Sequence, residues 1–563
     1  MAARQKRHFR NERSARVLKP ITNTNEKANV AGWKALVPVY NFVVWLKLVK
    51  RPWWWIFLLL IPTVGIYMLA ILLVDLSNHF GKRSFRDHVI AVLGYFLFVP
   101  LIGFSKKIKF VGPKPHEKNK HIIKEWGEAA VFAIVAATLI RTFAFEAFTI
   151  PTSSMEKSLM VGDYLFVNKM RYGAKIPSTP LTFPFTHNSL PFTESTPSFL
   201  DWIELPYLRF PGWASIKNND IVVFNFPEGD TVAGKYPNIS YYQLVRGQGR
   251  DVIWNNPQIF GDILIRPVDK EDNYIKRCVA IPGDKMEIKN RQLFINGKEA
   301  YNPPNMQFSH CFNNSNLGDW NMKEFQEGIA KMNITDEVNY MNNPRLLKYD
   351  SAKDSIFAVP PTLKYQFAVA MHANQVDKFR EKVGLTEVAL DSAHLFDPET
   401  FPHDIKNFRW NRDNYGPLTI PKAGVKVDIS LSNIALYRRI IDVYEENDFE
   451  IRDGKIFING QVATSYTFKL DYYFMMGDNR HNSLDSRFWG FVPETHIVGS
   501  PSMIWLSIPK QGGGVRTERM ISFVSPDGLS RSYLWYFAGI VAAIFAFNWF
   551  RNRHKREAAK KKS

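Results

Sequence analysis

Two cysteines in 563 residues, Cys278 and Cys311, are too few for a disulfide-stapled scaffold. One bridge between them is conceivable in an oxidising compartment, but two reduced thiols are expected. Neither has the spacing of a metal ligand, no zinc site is visible and no Gly-rich phosphate loop stands out. A cleavable targeting signal is also missing, because the first 30 residues are polar. Acidic residues are outnumbered, 53 against 72 Lys and Arg, for a net charge of +19. Such a charge suggests nucleic acid or anionic lipid until its distribution is considered. Residues 1–20, 105–124 and 551–563 each carry seven basic residues and one acid, so three short tracts hold nearly all of the excess. Each tract lies beside an apolar segment, which is the positive-inside pattern of a membrane protein and argues against a nucleic-acid partner.

What the chain has in quantity is apolar runs. Residues 53–75, 88–104, 126–145 and 533–550 have the length and apolarity of membrane spans, and 33–49 reads as an interfacial segment, with a fifth span as the alternative. An even count puts the three basic tracts on one side of the bilayer. It leaves the loop 77–87 outside despite its own basic residues. The predicted organisation is an N-terminal membrane region (1–125), a span (126–145) leading into a polar region, a C-terminal span (533–550) and a basic tail (551–563).

The polar region reads as mostly β, with short Val, Ile, Phe and Tyr runs between turn residues. "MEIKNRQLFING" (286–297) returns as "FEIRDGKIFING" (449–460), two copies of one hairpin frame closed by Asn-Gly. Residues 146–301 and 447–527 then form two parts of one core. Residues 302–446 between them read as an inserted subdomain, since structureless loops of that length are rare in compact domains.

Chemistry is suggested at three places. Ser153 and Ser154 in "FTIPTSSMEKSLMVGDYLFVNK" (148–169) sit just beyond the third apolar run, with no histidine within twenty residues. A serine hydroxyl needs a proton acceptor, and a neutral lysine serves as well as a histidine. For lysine this means lowering the pKa from about 10.4 toward about 8, which burial supplies. Lys276 in "NYIKRCVAIPGDKMEI" (273–288) lies in an apolar strand that ends at a Pro-Gly-Asp turn. The third place, "MGDNRHNSLDSRFWGFVPETHIVG" (476–499), crowds Asp478, Arg480, Asp485 and Arg487 into a loop before an aromatic strand. Paired Asp and Arg of this kind brace a turn.

Together these elements, in this order, resemble the bacterial type I signal peptidases, the membrane-bound leader peptidases of the Ser-Lys protease class. The serine segment resembles the family's P-S-x-S-M-x-P-T-L-x-x-G-D box. "DIVVFNFPE" (220–228), "YIKRCVAIPGDK" (274–285) and "GDNRHNSLDSRFWGFVPETHIVG" (477–499) resemble its later boxes. The resemblance covers about a quarter of the catalytic region and neither the first hundred residues nor the insertion. It implies a signal-peptidase-like β fold with Ser154 as nucleophile and Lys276 as general base. Ser153 fills a variable position. Thr152 would donate to the oxyanion together with the Ser154 backbone N–H. Ser483 would orient Lys276, and Asp478, Arg480, Asp485 and Arg487 would brace the site. A shallow apolar slot for small residues would be lined by Phe148, Ile150, Pro151, Met155, Leu159, Tyr274 and Ile275.

The chain departs from the family where Lys157 and Ser158 replace Pro and Thr, and where His481 replaces a commonly acidic residue. The last change raises a rival in which His481 is the base, but that rival leaves the lysine box unexplained. The resemblance implies no metal and no cofactor. Its partners would be signal-peptide-bearing precursors and the lipid bilayer, at a multi-pass inner (cytoplasmic) membrane location with the catalytic region on the periplasmic or extracytoplasmic side. Two alternatives are a specialised processing peptidase for one pilus or secretion substrate, and an inactive precursor-binding scaffold. Intact Ser154, Lys276 and Ser483 weigh against the scaffold.

Overall fold

The computed structural model describes residues 40–112, 122–313, 367–383 and 396–560, apart from a few residues near 184–195, 510–513 and 529–530. It also describes short strands between 338 and 388 and scattered residues before 40 and near 328. The basic tract 1–20, residues 113–121 and the last three residues lie outside the described part. The chain divides into two compact units: residues 1–142 with 176–206, and residues 143–175 with 207–563.

In the first unit the apolar runs fold as short helices. The stretch read as one span over 53–75 is two helices, Trp55–Leu60 and Pro62–His79. Pro62 sits at the first helical position, and the residue before a proline is driven out of the helical region; Ile61 is extended there at φ −80°, ψ 117°. The 88–104 stretch is likewise two helices, Phe85–Leu93 and Tyr95–Phe104, separated at Gly94, with a bend of 110° between Phe85–Leu93 and Phe98–Phe104. Trp45, Leu46, Leu72, Leu76, Phe98 and Ile102 are buried in a shared core. The run over 126–145 gives the helix Ile122–Leu139, and after a turn over Ile140–Ala144 the chain enters a strand.

Among the described residues one helix is long and apolar enough to cross a membrane, Leu534–His554, and a second qualifies if the bent pair counts as one span. That helix follows the β structure, begins at Leu534 and runs to Lys560, past the predicted end at 550.

The second unit is mostly β. Its main sheet contains β1 (Phe145–Thr149), β2 (Asp163–Asn168), β3 (Ile221–Asn225), β4 (Asn273–Ala280), β5 (Tyr472–Met476), β6 (Val492–Pro493), β7 (Ile497–Ser507) and β8 (Ser522–Phe523). The order is β1–β2–β7–β3–β4–β5–β6, with β8 added to β7, and every pairing is antiparallel. One apolar core, with Ile150, Met155, Leu159, Leu165, Ile221 and Val223, lies under the serine segment. Another gathers Val222, Phe224, Cys278, Met475 and Trp489.

The twin hairpins form as their sequences dictate. Lys285–Lys289 pairs Gln292–Ile295, and Phe449–Arg452 pairs Lys455–Ile458. Asn290 and Arg291 in one turn, and Asp453 and Gly454 in the other, all have positive φ, the requirement of the two-residue turns that match strand twist. Within 302–446, Phe308–Asn313, Val338–Tyr340, Phe367–Met371 and Thr386–Val388 form a four-stranded sheet of their own. Residues after 396 behave differently. Tyr415–Thr419 pairs Lys285–Lys289, and Phe401, Tyr415, Leu418, Ile434 and Ile441 share a core with Met286, Ile456 and Phe474. Cys278 and Cys311 are both buried, and they are not joined in a disulfide.

Candidate active site

The site forms where the serine segment meets β4 and the loop after β5. Thr152 is extended (φ −130°, ψ 159°) and exposed, and Ser153–Met155 make one tight 3₁₀ turn that buries Ser154. Met155 and Leu159 are fully buried in the core beneath. They fix the turn while the hydroxyl of Ser154 faces β4.

Alternation along β4 sorts its side chains. Tyr274, Lys276 and Cys278 share one face, and Ile275 and Arg277 the other. Lys276 is opposite Val222 of β3, whose side chain is fully buried. Lys276 itself is only 3% exposed, and its Nζ lies 2.5 Å from Ser154 Oγ. The Tyr274 ring is 5.5 Å from the same nitrogen. Burial dominates the electrostatics and lowers the Lys276 pKa from 10.5 to about 8, while Asp485 and Asp478 pull it back up and Arg487 opposes them. The ammonium form is therefore disfavoured by about 3 kcal/mol relative to a solvated lysine. As an ammonium the group donates to Oγ; as a neutral amine it accepts the Ser154 proton.

The loop after β5 supplies the frame. Asn479 N donates to the Ser154 carbonyl at 3.1 Å. The side chains of Asn479 and Asn482 donate to the Ser153 carbonyl and hydroxyl. At Gly477 a side chain would drive into Ser483 Oγ and the Ser154 carbonyl, so this close approach requires glycine. Asp485 receives Arg487 Nη2 at 2.7 Å and Gly477 N at 3.2 Å. Burial alone would raise the Asp485 carboxyl, but the Arg487 charge and the hydrogen bonds from Arg487 and Gly477 together outweigh it and the pKa is lowered.

Asp478 does not pair with Arg480, the neighbour a sequence reading offers. It takes two bonds from Arg277, both 2.7 Å, and one from Ser158 Oγ at 2.6 Å. These bonds hold its carboxyl below the usual range although burial pushes the other way. Arg480 instead reaches Met476 Sδ at 3.3 Å. Among the described residues its Nε has no hydrogen-bond partner, and burial lowers its pKa to about 10.

Ser483 is buried beside Gly477 and close enough to help lower Asp485. Among the described residues its hydroxyl completes no hydrogen bond of ordinary geometry, so the expected bond to Lys276 is not seen. His481 is occupied elsewhere: Nε2 lies 2.6 Å from Asp413, and Nδ1 accepts from Ser309 N at 3.3 Å. With both nitrogens engaged it cannot take the serine proton.

Of the residues read as a substrate slot, Ile150, Met155 and Leu159 are core, and Phe148 and Ile275 pack against that same core with part of each side chain open. Tyr274 stacks on Phe226 at 4.6 Å in the neighbouring cluster. Pro151 is exposed. Arg277, Asn479, Asn482 and Asp163 were missed by sequence reasoning. Asp163 is fully buried and receives Arg519 Nη2 at 2.6 Å. The available signals were the position of Arg277 next to Lys276, and an Asp directly after Gly162 in the serine segment.

Among the described residues no group of His, Cys, Asp and Glu could hold a metal ion. What the arrangement can do is activate a hydroxyl beside an uncharged amine in a largely dry setting.

Comparison with known proteins gives two family matches. The signal peptidase family, peptidase S26, matches residues 123–351 and 445–506, and a family of unknown function, DUF5684, matches 33–113. The chain is similar to signal peptidase I of Buchnera aphidicola subsp. Baizongia pistaciae, 23% identical over 414 residues, covering 72% of this chain and 85% of the relative. It is similar to signal peptidase I of Helicobacter pylori (strain J99 / ATCC 700824), 25% identical over 414 residues, covering 71% and 92%. Signal peptidase I of Haemophilus influenzae is 24% identical over 422 residues, covering 72% and 79%.

Proposed function

The chain belongs to the signal peptidase family, peptidase S26, and on that premise we propose that it is a membrane-anchored serine endopeptidase that removes N-terminal signal peptides from exported precursors. Ser154 and Lys276 form its dyad. The observation that carries this reading is the 2.5 Å approach of the Lys276 and Ser154 side chains, both buried.

Lys276 as a neutral amine takes the Ser154 proton while Oγ attacks the scissile carbonyl carbon. The resulting ammonium returns that proton to the leaving amine, which leaves an ester on Ser154. A water then attacks the ester, with Lys276 again accepting and returning a proton. The developing oxyanion is stabilised by the Ser154 N–H and, after a rotation of its exposed side chain, by the Thr152 hydroxyl. Ser483 and Asp485 act through position rather than by proton transfer. The open edge of β1, next to the partly exposed Phe148, suits an extended chain that pairs with the strand and places a small side chain against Phe148 and Ile275.

Anchoring has a physical use. A precursor held by its own apolar segment in the same bilayer shares a thin layer with the enzyme, which raises effective concentration without new contacts. In this reading the helix Leu534–His554 is one anchor and the first-unit helices supply the others. A multi-pass chain then has the β structure of its second unit outside the cytoplasm, as the basic tracts favour.

The test uses the full chain in detergent with several unrelated precursors, beside Ser154→Ala and Lys276→Ala. Cleavage of many precursors after small residues, lost in both variants, is the expected result. Cleavage of a single precursor would replace the general role by a specialised one. No cleavage at all, with binding retained, would leave only a scaffold.

A further inference from the structure

The family match ends at residue 506, one residue before β7 finishes, yet the chain that follows turns back onto the serine segment. Arg516 Nε donates to Ser507 Oγ at 2.7 Å, and Ser507 Oγ donates to Asp163 at 2.6 Å. Arg519 adds a bond to the Ser158 carbonyl at 3.2 Å. Next, β8 pairs with Met503 and Ile504, and Val524 packs against the core that holds Ile150, Met155 and Leu159.

Beyond that point the chain reaches the catalytic frame itself. The Pro526 carbonyl accepts from Arg277 Nη1, the guanidinium that holds Asp478. Asp527 accepts from Tyr301 OH at 3.1 Å, and the Gly528 carbonyl from Asn305 Nδ2 at 3.4 Å. Gly528 has φ +67°, and a Cβ there would stand 2.9 Å from both Ser158 Oγ and Asn305 Nδ2. Ser158 Oγ in turn donates to Asp478. Four residues further on, Ser532 Oγ donates to the Met520 carbonyl at 2.6 Å and accepts from Leu534 N at 3.3 Å, the first residue of the apolar C-terminal helix.

We propose that Ser522–Gly528 is a positioning strap for the peptidase reaction: through Arg277 and Ser158 it clamps the serine turn and fixes Ser154 Oγ against Lys276. The strap touches neither reacting atom. It acts through the two partners of Asp478, and its Ser522 end is tied to the start of the C-terminal helix by the Ser522–Ser532 bridge and the Ile521 carbonyl, which accepts from Tyr533 N. The seat of that helix and the set of the nucleophile are thereby one mechanical unit. This inference rests on the Ser154–Lys276 reading above.

The decisive variant is full-length Gly528→Val, which adds bulk against Ser158 at a backbone angle that disfavours any side chain. Misplacement of reacting groups by about 1 Å costs on the order of 100-fold. The expected result is therefore a kcat lowered by about 30- to 100-fold with KM within about twofold, measured on a soluble peptide in detergent. The rising limb of the pH profile moves to higher pH as water reaches Lys276. A merely structural role would lower the active fraction, counted with a serine-reactive probe, and leave the turnover per active site and the pH limb in place. That outcome overturns the proposal.

Should Gly528→Val fail to fold, Tyr301→Phe combined with Asn305→Ala decides, because it loosens the strap without adding bulk. A several-fold lower kcat with unchanged KM supports the strap, and wild-type kinetics overturn it. A wild type without Ser154-dependent cleavage defeats the dyad reading and this inference together. An active, Ser154-dependent wild type with unaffected strap variants defeats this inference alone.

Discussion

Two lysines in the second unit have pKa values pushed down mainly by burial: Lys276 to about 8 and Lys175 to about 7. Lys175 as a residue is partly exposed, and burial is still the largest cause of its lowered value. The two differ in what they face. Lys175 Nζ donates to the Asn225 side-chain carbonyl at 2.8 Å and the Thr495 carbonyl at 3.1 Å. Neither acceptor has a proton to give. Lys276 faces a hydroxyl. Their surroundings differ as well: Arg209 pushes Lys175 down, while Asp269 and Glu271 pull it back up. A lowered pKa therefore marks burial; only the proton-bearing partner marks a base.

The largest effect that tests this contrast is loss of either member of the dyad. Ser154→Ala and Lys276→Ala should each lower kcat by about 10⁴-fold or more, whereas Lys175→Met should leave kcat within about threefold. Equal damage from all three, measured on folded protein, would end the distinction. The pH profile is the next discriminator. The base must be uncharged, so activity should rise as pH increases through about 8, the Lys276 value. His481→Asn should leave that limb where it is, since its ring nitrogens are engaged by Ser309 and Asp413. A limb near 6 that His481→Asn removes would transfer the role of base to the histidine.

A smaller loss is expected at the frame. Arg277→Met leaves the fully buried Asp478 carboxylate with Ser158 alone, and breaking a buried pair on one side costs about 3–5 kcal/mol of stability. Turnover should fall by roughly 10- to 100-fold, consistent with a displaced serine turn. If thermal stability drops and turnover per folded molecule does not, the Arg277–Asp478 pair is only structural.

How legible each part was follows from how local its cause is. The hairpins at 286–297 and 449–460 were readable because a two-residue turn is decided by its own residues. The same holds for the break at Pro62, which the apolarity of 53–75 concealed but the proline dictates. Lys276 could be named from its apolar strand, yet its burial comes from Val222 and Phe224 of β3, about fifty residues earlier in the chain. The Asp478 partner was hidden for a related reason. Arg480 is near in sequence, but β4 and β5 are neighbours in the sheet and bring Arg277 to it. Ser483 shows the limit of carrying a role by position: the residue is buried at the site without the bond to Lys276. The return of 396–446 to the core was hidden because its apolar residues alternate with polar turns and resemble any small domain.

The smallest effect sharpens the lysine comparison through stability instead of rate. In the folded protein Lys175 loses its proton near pH 7, and in the unfolded chain near 10.5. Between those values the unfolded state binds more protons, so this group makes stability rise with pH; below about 7 its destabilising effect is fully present. Lys175→Met removes that slope, but it also strands the Asn225 and Thr495 oxygens, at a cost of about 1–3 kcal/mol. The two effects oppose each other at pH 7, so the midpoint of thermal unfolding there should move little. The slope should change: between pH 7 and 10 the variant should gain less stability than the wild type. Lys276→Met gives the matching experiment over pH 8 to 10.5 and should flatten a narrower part of the same curve. If Lys175→Met leaves the curve parallel to wild type across pH 7 to 10, its amino group is solvated in the folded protein, and Lys276 stands as the one dry amine of the pair.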